Sequence, residues 1–252
     1  MLSKLRALAF EINDMCCLGH FHSQCPRNAE RFRGLDDTSA MTIGDMAAFA
    51  RFCKDKHGFQ GKIQVHYYNE PLATRARLLR LVEALPEFKF ILWTNGVHLT
   101  NTDLANGFLD KFSEVMITIY YMNPVSAKFC LDLRTAYPQV DVQRANMDDR
   151  KNEELEPVFN PLITSCERMP YWEINFDYYG NGHICCGDWR GEINIGNIKK
   201  DDYDDILNKW RPISFALSQG WNEKTFDKIP NVCKLCTTRT HDMSRLGDRR
   251  IV

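Results

Sequence analysis

The stretch KIQVHYYNEPLATRARLLRLVEALPEFKFILWTNG, residues 62–96, holds one complete unit of the fold. Its opening, KIQVHYY, is rich in β-branched and aromatic residues and reads as a strand. ATRARLLRLVEALP repeats its apolar residues at helical spacing, and KFILWTNG is a second strand closed by a glycine turn. A strand, a crossover helix and a strand imply a parallel pair joined by a right-handed connection.

The same alternation continues on both sides. Upstream, ALAFEI at 7–12 reads as a strand, and TIGDMAAFARFCKDKHG as a helix capped by Thr42. Downstream, TDLANGFLDKF reads as a helix and VMITIYY as a strand. NPVSAKFCLDLRTAY follows as a helix opened by Pro124, and VDVQRAN as a strand. Repeated β–α units imply a parallel sheet, either open or closed towards a barrel. Around 146–160, MDDRKNEELEPVFNP is charged and proline-bounded, a connector with a short helix. Beyond it, YWEINFDYYGNGHICC reads as a two-stranded ribbon around a Gly-Asn-Gly turn, and KDDYDDILNKWRPISFAL as a helix. The expected division is residues 1–150 and 161–252. The tail has too little continuous apolar sequence for a core of its own, and small domains of that kind often use a metal as a staple.

A chain of 252 residues with 44% apolar content can bury a full core. A net charge of -1 gives no electrostatic reason to expect nucleic acid or an acidic membrane surface as the partner. MLSKLRALAF is interrupted by Lys4 and Arg6 and does not read as a signal peptide, and no apolar run approaches the ~18 residues of a membrane span. A cytoplasmic location is expected. There, ten cysteines are not a disulfide framework, and clusters of them point to metal or redox chemistry. Cys53 and Cys130 stand singly in helical segments and read as buried apolar residues. The other eight fall at 16–25 and 166–236.

In the second group, Cys233 and Cys236 form a C-x2-C knuckle, Cys185 and Cys186 follow the ribbon turn, and Cys166 precedes the ribbon. Four such thiolates suit tetrahedral zinc or an all-cysteine iron–sulfur cluster equally well. The first group, MCCLGHFHSQCP at 15–26, crowds three cysteines and two histidines into a spacing that fits no common zinc pattern.

From Cys166 the chain runs through ERMPYWEINFDYY to Gly180, through NGHI to Cys185, and past GNI and DILNKW to Cys233-Lys-Leu-Cys236. This resembles the C-terminal auxiliary-cluster domain of radical SAM enzymes. With no cysteine after Cys236, it is similar to the shortened "twitch" form, which holds one [4Fe–4S] cluster, rather than the longer SPASM form, which holds two. The resemblance implies Cys166, Cys185, Cys233 and Cys236 as ligands, with Cys186 a neighbour. It extends upstream. NEP at 69–71 matches the motif after the second strand, so Asn69 and Glu70 are expected at the amino group of S-adenosylmethionine. TNG at 94–96 matches the third-strand segment, which puts Thr94 and Asn95 beside that cofactor. The implied architecture is α/β: a partial (β/α)6 barrel with a small C-terminal α+β auxiliary domain. In length and cysteine layout the chain is most similar to a dehydrogenase of the family.

The opening loop departs from the family's C-x3-C-x2-C. Counting from Cys17, the later positions are Phe21 and Gln24; counting back from Cys25, they are His22 and Leu18. Cys17 and Cys25 are the expected thiolates of the first [4Fe–4S] cluster, and the third ligand is Cys16, His20 or His22.

The resemblance implies reductive cleavage of S-adenosylmethionine, abstraction of a substrate hydrogen, and an external low-potential electron donor of flavodoxin or ferredoxin type. An auxiliary cluster with four protein thiolates has no open iron and suits acceptance of a second electron. That favours a two-electron oxidation of a small polar substrate, such as an alcohol to a ketone. His66, Tyr68, Tyr120 and Arg144, near strand ends, are the candidate substrate contacts. One competing reading is a peptide-modifying or epimerising maturase. Such an enzyme often carries an added N-terminal recognition domain, for which the chain has no room before its first strand. Another is a non-catalytic binding protein with a zinc-stapled tail.

Overall fold

The computed structural model describes residues 2–18, 39–120, 127–145, 166, 173–188, 191–222 and 224–234. Six parallel strands come first in the chain: β1 (Ala7–Phe10), β2 (Lys62–Gln64), β3 (Phe90–Thr94), β4 (Glu114–Tyr120), β5 (Val140–Ala145) and β6 (Glu173–Phe176). Two short strands, β7 (Asn181–His183) and β8 (Asn194–Asn197), follow in antiparallel pairing. All eight make one sheet in the order β5-β4-β3-β2-β1-β6-β7-β8. The sheet therefore grows in both directions from β1, which pairs with β2 on one side and β6 on the other. The observed architecture is the expected α/β fold with a parallel-rich sheet.

The helices on the crossovers follow from their sequences. α1 (Ile43–His57) starts at Thr42, whose side chain accepts from the Asp45 amide while Asp45 reaches back to the Thr42 amide. It ends at Gly58, in the left-handed region at φ 67. α2 (Arg75–Ala84) carries the crossover from β2 to β3, and α4 (Ala127–Ala136) that from β4 to β5. α5 (Tyr203–Gln219) packs near β8, and α6 (Asn231–Lys234) is a single turn at Cys233. Among the described residues no helix is long and apolar enough to cross a membrane.

Three elements differ from their sequence reading. β2 stops at Gln64 instead of running to Tyr68, because side chains take over its amides. The Tyr67 amide donates to Asn69 Oδ1 and the Tyr68 amide to Glu11 Oε1. The helix expected over 102–112 is split: Gly107, at φ 62, ends α3 (Asn101–Ala105), and a 3-10 turn covers Phe108–Lys111. The ribbon expected over 171–186 contributes the sixth parallel strand. β6 meets β1 at four positions and β7 at only two, and the turn is Asp177–Gly180, with Asn181 and Gly182 already in β7. Its alternation of Ile174 and Phe176 with Glu173 and Asn175 suits a half-exposed ribbon, but all four residues are buried. The connector expected over 146–160 lies outside the described residues.

One apolar cluster joins the helices to the sheet face formed by Leu8, Phe10, Ile63, Leu92, Ile117, Val142, Ile174 and Phe176. It runs on into the tail through Ile184, Ile195, Ile206, Leu207 and Trp210, so the tail shares the core of the sheet. Cys53 and Cys130 lie fully buried in it, as read. Burial pushes both thiols up, that of Cys130 to about 11. The other sheet face is polar, with Gln64, Thr118, Glu173 and Asn175 buried on it.

Phe176 ties these parts together. Its ring stacks on Phe10 at 5.7 Å and meets the edge of Phe49, from α1, at 4.8 Å. Phe176→Ala should cost about 3–5 kcal/mol in urea unfolding, because the site is closed on all sides and cannot collapse. A loss below about 1 kcal/mol would show that the tail does not share this core.

Candidate active site

The C-terminal ends of β1, β2 and β3 are tied together by a buried carboxylate. Glu70, 1% exposed, accepts the Thr94 hydroxyl at 2.7 Å and the Leu72 amide at 3.0 Å on Oε1, and the Asn95 amide at 2.8 Å on Oε2. Burial raises its carboxyl above the usual range, against the pull of these three donors. The Glu70 amide donates to the Met15 carbonyl at 2.7 Å, and Asn13 Nδ2 donates to the Glu70 carbonyl at 3.0 Å. The loops after three adjacent strands are thus fixed to one another.

Two further groups adjoin this knot. Asn69 Oδ1 accepts the Tyr67 amide at 3.2 Å, which sets the orientation of the side-chain amide; its Nδ2 is buried and has no partner among the described residues. Cys17 Sγ accepts from Asn95 Nδ2 at 3.3 Å. Burial pushes the Cys17 thiol up, the Asn95 hydrogen bond opposes this, and the nearby Glu70 carboxylate adds to the rise. A half-buried thiol beside an amide donor fits a cluster ligand, and the unmatched N–H of Asn69 suits a ligand with an acceptor group. Cys16 is also half-buried at the start of this loop, whereas His20, His22 and Cys25 lie outside the described residues.

At the other edge of the sheet the adjacent cysteines part company. Cys185, like Cys166 and Cys233, packs against the main core, while Cys186 packs against the cluster of Tyr67, Tyr68, Tyr178 and Tyr179. Cys185 Sγ accepts the Gly187 amide at 3.3 Å. Glu192 accepts the Val232 amide at 3.2 Å, which holds α6 and Cys233 to the loop before β8. Cys236 lies outside the described residues, and among those described no three His, Cys, Asp or Glu side chains converge to hold a metal ion.

The two ends are joined by the residues that follow β2. Tyr67 donates to the Asp188 carbonyl at 3.2 Å, and the Tyr68 hydroxyl to the Cys186 carbonyl. The Tyr67 ring stacks on His183 at 5.4 Å, and His183 lies between Asp177 at 3.4 Å and Asp188 at 3.7 Å. Burial alone would raise the Asp177 carboxyl, but His183 and Asn181 beside it bring it below its usual range.

Of the strand-end candidates, His66 is half-buried, with Nδ1 3.2 Å from the Asn69 carbonyl and its ring stacked 5.9 Å from Trp93. Tyr68 turns towards the cysteine hairpin. Tyr120 is half-buried at the end of β4, and Arg144 occupies the β5 position opposite Ile119. Sequence reading did not single out Glu11, Asn13, Trp93, Thr118 or Gln143. Glu11, fully buried, accepts the Tyr68 amide at 3.2 Å and the Tyr178 amide at 3.0 Å, so one carboxylate links β1, the loop after β2 and the loop after β6. A lone acidic residue inside the apolar run ALAFEI is the signal available for it.

Residues 166–237 match SPASM, an iron–sulfur cluster-binding domain. No curated protein matches the sequence at a significant level. Among solved structures, BtrN in complex with AdoMet and 2-DOIA aligns at a TM-score of 0.67 and 20% identity, covering 94% of each chain. BtrN in an open conformation aligns at 0.62 and 18%, covering 97% of this chain and 99% of that one. SuiB from Streptococcus suis, bound to the precursor peptide SuiA, aligns at 0.52 and 13%, covering 93% of this chain and 71% of that one. The fold is that of these structures, and the C-terminal part is an iron–sulfur cluster-binding domain of the SPASM type.

Replacing Glu70 by Gln keeps the shape but turns an NH2 group towards donors that need an acceptor. Glu70→Gln should lose about 2–3 kcal/mol of stability, as a lower denaturation midpoint at an unchanged slope. A midpoint equal to that of the wild type would contradict the central place given to this carboxylate.

Proposed function

We propose that this protein is a radical SAM enzyme that carries out a two-electron oxidation of a small polar substrate. The observation that carries the reading is the linkage of Cys17, Asn95, Glu70 and Asn69 at the C-terminal edge of a parallel sheet, where such folds gather their sites. A reduced [4Fe–4S] cluster and S-adenosylmethionine, when bound there, supply a 5′-deoxyadenosyl radical able to abstract hydrogen.

The chain's own residues divide the remaining work. Cys17 and Cys25, with one of Cys16, His20 or His22, would hold the first cluster, three protein ligands being what S-adenosylmethionine binding needs. Asn69 and Glu70 were expected at the amino group of S-adenosylmethionine. Here the Glu70 carboxylate is engaged by Thr94, Asn95 and Leu72, and the unmatched group on Asn69 is a donor. A donor suits the methionine carboxylate, so Asn69 is assigned to that group and Glu70 to holding the loops. Cys166, Cys185, Cys233 and Cys236 hold the auxiliary cluster. With four protein thiolates such a cluster would have no site for substrate and would serve as acceptor of the one electron left after hydrogen abstraction, the accompanying proton going to solvent or a nearby base. Cys185 packs against the same apolar core as Cys166 and Cys233, whereas Cys186 packs against the tyrosine cluster, which supports this choice between neighbours. The stronger structural likeness to BtrN, whose structure contains 2-DOIA, than to SuiB bound to its precursor peptide favours a small-molecule substrate. A flavodoxin- or ferredoxin-type donor would reduce the first site.

Anaerobically reconstituted protein should carry about eight irons and matching sulfide per chain. Cys185→Ser should fall to about four, whereas Cys186→Ser should keep about eight. Reduced with dithionite and given S-adenosylmethionine, the wild type should release 5′-deoxyadenosine, and Cys17→Ala should not. Stoichiometric zinc without sulfide, or a wild type that releases no 5′-deoxyadenosine, would overturn the reading.

A further inference from the structure

A cavity of about 440 Å³ lies between the first turns of α1 and α2. Met41, Thr42, Ile43 and Gly44 line it from the start of α1, and Arg77 and Arg80 line it from α2. No residue assigned to either cluster or to S-adenosylmethionine is part of its lining. The two arginines stand three residues apart on one helix, so they are neighbours on its surface and repel each other. Among the described residues no carboxylate pairs with either to offset that repulsion. Arg77 is held in place: its guanidinium lies over the Tyr178 ring, 5.3 Å from the centroid, and Nη2 donates to the Met41 carbonyl. Its Nε is buried and has no partner among the described residues. Arg80 is exposed.

The start of α1 brings further donors. Of its first four amides, that of Asp45 donates to the Thr42 hydroxyl and that of Met46 to the Thr42 carbonyl. Those of Ile43 and Gly44 have no acceptor among the described residues. The Asp45 carboxylate accepts from the Thr42 amide and hydroxyl and does not line the cavity. Two guanidinium groups, two open amides and the positive end of a 15-residue helix therefore border one space. Two cations match a dianion. A phosphate group has oxygens enough to accept from both guanidinium groups and an amide together, which a carboxylate lacks. The volume exceeds what a bare phosphate needs and falls in the range of small-molecule pockets, with Met41 and Ile43 as apolar lining for the group the phosphate carries.

We propose that the cavity between α1 and α2 binds the phosphate of a small phosphate ester, held by Arg77, Arg80 and the amides of Ile43 and Gly44. The site rests on this geometry and stands apart from the radical SAM reading. The test is isothermal titration calorimetry of the reconstituted holoprotein in phosphate-free buffer, with glycerol 3-phosphate, AMP, inorganic phosphate and acetate as separate titrants. At least one ester should bind saturably, one per chain, and more tightly than inorganic phosphate, while acetate should not bind in the same range. A preference for AMP would mark a nucleotide as the source of the phosphate, and a preference for glycerol 3-phosphate a smaller ester. Arg80→Gln, at an exposed position, should weaken binding about tenfold or more, the worth of a charge-assisted hydrogen bond. Ile43→Pro removes one of the two amides at a position where helices accept proline. Thr42, at φ -84 and ψ 164, already has the extended backbone that a following proline requires. That variant should keep the wild-type circular dichroism and bind about threefold to tenfold more weakly. If its circular dichroism changes, Arg77→Lys is read in its place, with weaker binding expected again. No saturable binding of either ester, acetate binding as tight as an ester, inorganic phosphate binding more tightly than both esters, or variants that bind like the wild type would overturn the proposal.

Discussion

A carboxylate sealed from water has to find its hydrogen bonds inside the protein, and Glu70 finds three from two different loops. That requirement fixes the rest of the candidate site. The Thr94–Asn95 turn is held against the loop after β2, the Asn95 side chain is aimed at Cys17, and Asn69 keeps a buried donor with no partner among the described residues. The Glu70 backbone extends the same knot to Met15 and Asn13. In a parallel sheet the loops at this edge emerge side by side, and one buried residue, through its carboxylate and its backbone, is enough to register three of them.

The tail is an extension of the sheet. β6 lies against β1, and β7 and β8 widen the same sheet. Glu11 joins the two halves by accepting amides from Tyr68 and Tyr178, and Tyr67 and Tyr68 reach across to the backbone of the cysteine hairpin. The hairpin that carries Cys185 is therefore positioned by the loop that carries Asn69 and Glu70. A change in one site has a short, hydrogen-bonded route to the other.

Much of this was legible in the sequence. The β–α alternation, the Thr42 cap, and NEP and TNG at strand ends are local signals, and the structure brings the two motifs together through Glu70. The Gly180-x4-Cys185 spacing singled out Cys185, whose packing differs from that of Cys186. What could not be read depends on partners distant in sequence. β2 ends early because Glu11, 57 residues before Tyr68, supplies an acceptor to the Tyr68 amide. Tyr68 turns from the strand edge because its hydroxyl meets a carbonyl 118 residues later. EINF joins β1 as a parallel strand, which its alternation alone does not distinguish from a ribbon arm. Trp93 and Gln143 both donate to Thr118 Oγ1, a meeting that emerges only from the register of three strands.

The central claim, that the loop around Cys17 carries a cluster with an iron open to S-adenosylmethionine, is tested most directly by electron paramagnetic resonance. The Cys185→Ser protein isolates the first cluster from the auxiliary one. After reduction with a low-potential donor it should give a single [4Fe–4S]⁺ signal that shifts on addition of S-adenosylmethionine. It should also gain a hyperfine coupling to ¹⁷O in the labelled methionine carboxylate. A spectrum that S-adenosylmethionine leaves unchanged would contradict the account.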